Sequence, residues 1–163
     1  ESGRGTAPSG IRVCRTKQLP LSGGEVGGSA GFAAYAAEAA AYGVRLGWPP
    51  QDAAAVARRY GSNSRELFDL AQERREQGLR SDMSLRLFGE LIYAIEREMA
   101  LTPTDFFIRR TSRLLFDLPS VYRYKDTVCE LMGHLLAYTP EQALVFREEL
   151  EDALIRIACV DLV

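Results

Sequence analysis

The stretch Leu85-Arg86-Leu87-Phe88-Gly89-Glu90-Leu91-Ile92-Tyr93-Ala94-Ile95-Glu96-Arg97-Glu98-Met99 decides the fold class. Leu85, Phe88, Ile92, Ile95 and Met99 recur at spacings of three and four, so they line one face of a helix of about 16 residues. Downstream, Thr102-Pro103-Thr104-Asp105 restarts the chain as a helix. Thr102 can accept a hydrogen bond from the amide at N3, Pro103 sits at N1 where its missing N–H costs nothing, and Asp105 favours the positive helix end. This helix is expected to run to Phe116 or Asp117, before Leu118-Pro119. Ser120 then caps a segment striped by Val121, Tyr124, Val128, Leu131 and Leu135. Thr139-Pro140-Glu141-Gln142 repeats the start signal before a last helix with Phe146, Leu150, Leu154 and Ile157 inward.

Upstream, the alanine-rich stretch 30–46 is helix-prone behind Ser29 as N-cap and is stopped by Gly47-Trp48-Pro49-Pro50. A short piece over 51–60 ends at Gly61, and Asn63 with Glu66 forms a capping-box pattern that opens 64–77. No stretch alternates with period two for long enough to suggest a sheet. The expectation is an all-α, compact, bundle-like domain of about six helices, or seven segments if the short piece over 51–60 is counted separately. Residues 1–28 read differently: Gly, Ser, Pro and Thr dominate 3–10, and Ser22-Gly23-Gly24 with Gly27-Gly28 punctuate the end. They form an extended or flexible linker or docking arm, with the helical unit over 29–163.

Composition is that of an ordinary globular chain: 163 residues, 47% apolar, 26% charged, net charge −2 and a pI of about 5.6. Such a chain buries enough apolar surface to fold without disulfides or metals. Its charge balance offers no field to attract nucleic acid or an anionic membrane, and no nucleic-acid partner is expected. Cys14, Cys129 and Cys159 are scattered and odd in number, which favours reduced thiols in a cytoplasmic protein. The longest apolar run, near 32–41, is broken by Glu38 and is too short for a bilayer. The chain begins with Glu1 rather than Met, as an excised piece of a longer protein would.

Candidate chemistry is sparse. His134 is the only histidine, so a general base, a catalytic triad or a metal cluster would all have to use it without an obvious partner. No phosphate-cradling glycine motif follows a strand. Residues 51–75 have a helix-turn-helix look, with Ala55, Gly61 and Leu67 at the spaced positions and Arg65, Arg74 and Arg75 facing outward. Glu66, Asp69, Glu73 and Glu76 on the same would-be recognition helix would repel a duplex. The alternative function carried by this stretch is a self-standing helical binding module with a nucleic-acid contact. The cluster Arg109-Arg110 with Arg113 has two readings. Asp105 and Arg109 lie four apart and can pair. Arg110 shares a face with Phe106 and Leu114 and needs a carboxylate, for which Glu96 and Glu98 are candidates. The cluster is then either an internal ion pair fixing two helices or a contact with a partner domain or anionic ligand.

Several segments in order carry a family likeness: Cys14-Arg15-Thr16-Lys17-Gln18-Leu19-Pro20-Leu21-Ser22-Gly23-Gly24, Tyr60-Gly61-Ser62-Asn63, Asp105-Phe106-Phe107-Ile108-Arg109-Arg110-Thr111 and Leu115-Phe116-Asp117. Together they resemble the C-terminal domain of FAD-dependent glycerol-3-phosphate dehydrogenases and α-glycerophosphate oxidases, over about 13–158. The resemblance implies a parent enzyme whose N-terminal domain binds FAD and oxidises glycerol 3-phosphate to dihydroxyacetone phosphate, passing electrons to quinone or oxygen. It implies an accessory, inactive helical domain here, with no catalytic, cofactor-binding or metal residue of its own. Its partner is the N-terminal FAD-binding domain of the same protein. Asp105, Arg109, Arg110, Thr111, Glu96 and Glu98 are the candidate interface or structural ion-pair residues. The parent would be cytoplasmic, or peripheral at the inner membrane, with any membrane contact made through the parent rather than this chain.

Overall fold

The computed structural model describes residues 16–19, 21–80 and 82–160. They contain eight α-helices and no strand. These are α1 (Gly28–Arg45), α2 (Pro50–Tyr60), α3 (Ser64–Glu73), α4 (Arg75–Arg80), α5 (Leu85–Glu98), α6 (Arg113–Phe116), α7 (Leu118–Leu135) and α8 (Pro140–Val160). Short 3-10 turns lie at Thr16–Gln18 and Gly61–Asn63, and Asp105–Arg110 winds as a π-helix. The glycine-rich stretch 3–10 and Cys14 fall outside the described residues, as does the side chain of Cys159.

α5 is the axis of the molecule. The sequence suggests an amphipathic helix with one buried face, but every residue from Leu87 to Ala94 is buried. The reason is that α5 serves two cores. Phe88 and Ile92 pack with Trp48, Val56, Leu67 and Phe68 from the α1–α3 side. Leu87, Leu91 and Ala94 pack with Phe106, Phe107, Leu114, Val128, Met132 and Leu150 from the α6–α8 side. Burying side chains of this size contributes roughly 1.5–3 kcal/mol each. Met99, assigned by spacing to the buried stripe, is instead 78% exposed. The helix ends there in a left-handed turn, with Met99 at φ 53° and the amide of Ala100 returning to the Ala94 carbonyl at 2.9 Å.

The caps divide into those that follow local rules and those that do not. Thr102 accepts from the amide of Asp105 at 3.1 Å, and Thr139 and Gln142 exchange reciprocal side-chain bonds at 3.0 and 3.2 Å. Asp117, not Ser120, caps α7, accepting from the Ser120 amide. At α1 the cap is Gly27 in a left-handed conformation rather than Ser29. Asn63 makes no cap: its backbone is already helical, at φ −78°. The expected fifth helix is also broken. After Pro103 the chain widens into the π-helix, reverses at Ser112 (φ 56°) and only then forms the single turn of α6.

Candidate docking site

Two sequence motifs that lie far apart in the chain meet in space. Ser22, Gly23 and Glu25 lie against the turn Tyr60-Gly61-Ser62-Asn63. The amide of Ser62 donates to the Gly23 carbonyl at 3.0 Å, and the amide of Glu25 donates to Ser62 Oγ at 3.3 Å. Asn63 Nδ2 donates to Ser22 Oγ at 2.7 Å, and the Tyr35 hydroxyl donates to the Ser62 carbonyl at 3.3 Å. The two backbones approach so closely that a Cβ on Gly61 would fall 2.1 Å from the Gly23 oxygen, and one on Gly23 would fall 2.7 Å from the Tyr60 oxygen. Both glycines also hold positive φ, 53° and 83°. Behind the turn, Tyr60 and Tyr93 stack edge to face at 5.3 Å.

The second region is the π-helix. Asp105 accepts from Arg109 in an ion pair, and its other oxygen accepts from the Leu101 amide at 3.3 Å. The Asp105 side chain is 15% exposed, whereas that of Arg109 is 72% exposed. Thr111 closes the π-turn: its amide and its hydroxyl both donate to the Phe106 carbonyl at 2.9 Å. The carbonyl of Arg110 accepts from Arg59 Nη2 at 2.7 Å, which ties the end of the π-helix to α2. Among the described residues Arg110 has no carboxylate within ion-pair distance, and its buried Nε has no hydrogen-bond partner. Glu96 is taken by Arg74 at 2.6 Å. Glu98 lies near Arg110 and Arg59, which pull its pKa down, but burial is the larger effect and holds it above the ordinary carboxylate value.

Sequence reasoning missed a third feature, a buried charge network. Glu90, in the middle of α5, is fully buried (0% exposed). It accepts from Arg113 Nη2 at 2.8 Å and from Arg86 Nε at 3.1 Å. Arg113 Nη1 continues to Asp117 at 2.9 Å and to Ser120 Oγ at 3.3 Å. Arg86 reaches Asp52 of α2 at 4.0 Å. The network therefore spans from α2 through α5 to the start of α7. A glutamate set between Phe88, Leu91 and Ile92, four residues after an arginine, was the available signal.

Arg65, Arg74 and Arg75 of the stretch 51–75 are held by partners within the domain. Arg65 pairs with Glu38 at 2.6 Å, Arg74 with Glu96, and Arg75 donates to Gln72 and to the Leu46 carbonyl. α3 turns Leu67, Phe68, Leu70 and Ala71 into the core. His134 is exposed on α7. Burial pushes the Cys129 thiol up to about 11, far from a reactive thiolate. Among the described residues no group of three or more His, Cys, Asp or Glu side chains could hold a metal ion. No described helix is long and apolar enough to cross a membrane.

Residues 14–143 match the family described as the C-terminal domain of alpha-glycerophosphate oxidase. The chain belongs to this family. It is 39% identical over 141 residues to an aerobic glycerol-3-phosphate dehydrogenase of Staphylococcus haemolyticus, covering 86% of this chain and 25% of that protein. The Staphylococcus aureus (strain USA300) enzyme of the same name is 38% identical over the same length. A glycerol-3-phosphate dehydrogenase from Bacillus halodurans, solved in complex with FAD, superposes with a TM-score of 0.79 at 36% identity over 82% of this chain and 27% of that one. The chain thus spans about a quarter of the length of the relatives it matches. Among the described residues no strand is followed by a glycine-rich turn of the kind that cradles a dinucleotide pyrophosphate.

Proposed function

We propose that this chain is the accessory C-terminal domain of an FAD-dependent glycerol-3-phosphate dehydrogenase. It comprises a docking arm over 1–28 and a helical unit over 29–163, and is inactive by itself. The full-length protein oxidises glycerol 3-phosphate to dihydroxyacetone phosphate, with FAD held by the N-terminal domain. That domain is the partner of the helical unit, and any membrane contact belongs to the parent. The observation that carries this reading is the match of 86% of the chain to a quarter of an aerobic glycerol-3-phosphate dehydrogenase. The geometry supports a mechanical role. The stretch 22–25 is clamped glycine to glycine, so it lies on a fixed path against the turn at Gly61.

Asp105, Arg109, Arg110 and Thr111, with Glu98 near Arg110 and Glu96 held in its ion pair with Arg74, set the shape of the surface presented to the flavin-binding portion. Arg109 stands out into solvent on a carboxylate that orients it, and Arg110 fixes the π-turn through its backbone. The test is to truncate the full-length protein after residue 28 and follow bound flavin and glycerol 3-phosphate oxidation. Loss of either relative to the full-length protein supports an accessory domain. Full retention of both, at unchanged thermal stability, would remove that role.

A further inference from the structure

The corner between α6 and α7 displays large apolar side chains to solvent. Phe116 is 86% exposed, Leu115 54% and Tyr122 52%. Exposed apolar groups gathered in one place mark an interaction surface more often than scattered ones do. The corner is also rigid. Leu114 and Val121, interleaved with the exposed residues, are fully buried. Ser112 holds a left-handed conformation that sets the direction of α6. Asp117 caps α7 and pairs with Arg113, which is anchored on the buried Glu90. A side chain held in place before a partner arrives loses little freedom on binding, the condition under which aromatic anchors dominate an interface. Arg123, exposed and lying over Tyr124 at 5.1 Å, completes the aromatic and arginine make-up typical of such surfaces.

We propose that Leu115, Phe116 and Tyr122 form the apolar anchor through which this domain seats on the flavin-binding portion of its own polypeptide. The proposal rests on the functional reading above. The occupant is argued from length: the chain matches about a quarter of each relative, so a polypeptide of their length carries about three times as much chain outside this domain.

The test uses the full-length protein with single cysteines placed by Phe116→Cys, Tyr122→Cys and, as a control on the exposed face of α8, Glu148→Cys. Each is exposed to a maleimide under native conditions and labelling is read peptide by peptide by mass spectrometry. The expected result is labelling of the Phe116→Cys and Tyr122→Cys thiols about tenfold or more slower than the Glu148→Cys thiol, independent of protein concentration. Equal rates would overturn the proposal. Slow labelling that accelerates on dilution would also overturn it, because the occupant would then be a second copy. Glycerol 3-phosphate oxidation by the same preparations separates the failures. Equal rates in an active flavoprotein sink the anchor alone, whereas an unsubstituted protein that does not oxidise glycerol 3-phosphate sinks the functional reading and the anchor with it.

Discussion

On the α2–α3 side of α5 the chain is held by backbone laid against backbone, at Gly23 and Gly61, whereas on the α6–α7 side it is held by charges taken out of water, at Glu90 and Arg113. The first device tolerates no added atom, and the second tolerates no missing partner. Close glycine packing fixes the path of the arm without burying charge, and it fails sterically. A buried ion pair fixes a corner through direction-specific bonds, and it fails electrostatically, because the surviving charge is left in the core. The difference suits two roles: the clamp fixes the stretch 22–25 against the helical unit, and the network holds the corner that carries Phe116.

The largest effect is expected from Arg113→Met. It strips Glu90 of its shortest partner and leaves only Arg86, so urea unfolding should report a loss of about 3–5 kcal/mol. Combining it with Glu90→Met should cost far less than the two single changes added together. Additive losses would mean that the pair does not act as a unit, and the contrast with the clamp would collapse.

Gly61→Ala comes next. Its Cβ would meet the Gly23 oxygen at 2.1 Å in a backbone conformation that favours glycine, so a loss of about 2–3 kcal/mol is expected. Ser22→Ala removes one hydrogen bond of the same clamp without a clash and should cost about 1 kcal/mol or less. Equal costs for the two would show that hydrogen bonding, not close approach, holds the arm.

Met99→Gly tests a position outside both devices. Met99 ends α5 in a left-handed conformation where its Cβ is strained and its side chain is exposed. Glycine should raise stability by about 0.5–1 kcal/mol in the same assay. A loss would mean that the Met99 side chain packs on something the exposed surface does not account for.

The smallest expected effect concerns pH at Glu98, between the two devices. Burial raises its pKa above the usual 4.5, with Arg110 and Arg59 opposing. A carboxyl raised in the folded state binds more protons there than in the unfolded chain. Its contribution to stability is therefore fullest below about pH 4.5 and is lost as pH rises through the folded value. Glu98→Gln should remove that part of the decline when unfolding is measured across pH 4 to 7. An unchanged profile would place Glu98 in solvent.

Helices whose signals lie within a few residues were legible in the sequence. Thr102 with Asp105, Thr139 with Gln142, and the stripe through Val121 and Val128 are all local patterns. What was not legible depends on partners distant along the chain. Asn63 has the spacing of a cap with Glu66, yet its amide is spent on Ser22, 41 residues away. Arg113 and Glu90 are 23 residues apart, and nothing in either neighbourhood names the other. Spacing also overstated Arg110: of its two candidates, Glu96 is claimed by Arg74, and Glu98 lies near it with burial as its larger influence. Periodicity could not show that α5 is buried all round, because its second buried face contains Gly89 and Glu90, which read as polar or neutral until Trp48 and Arg113 are folded against them.

The most direct test of the account is recombination in trans: this chain mixed with the separately prepared flavin-binding portion of a related glycerol-3-phosphate dehydrogenase, followed by co-elution and by glycerol 3-phosphate oxidation. The account predicts a one-to-one complex with activity or thermal stability restored above that of the flavin-binding portion alone, and weakened by Phe116→Ser. A well-folded chain that neither co-elutes nor changes the activity or stability of its partner would contradict it.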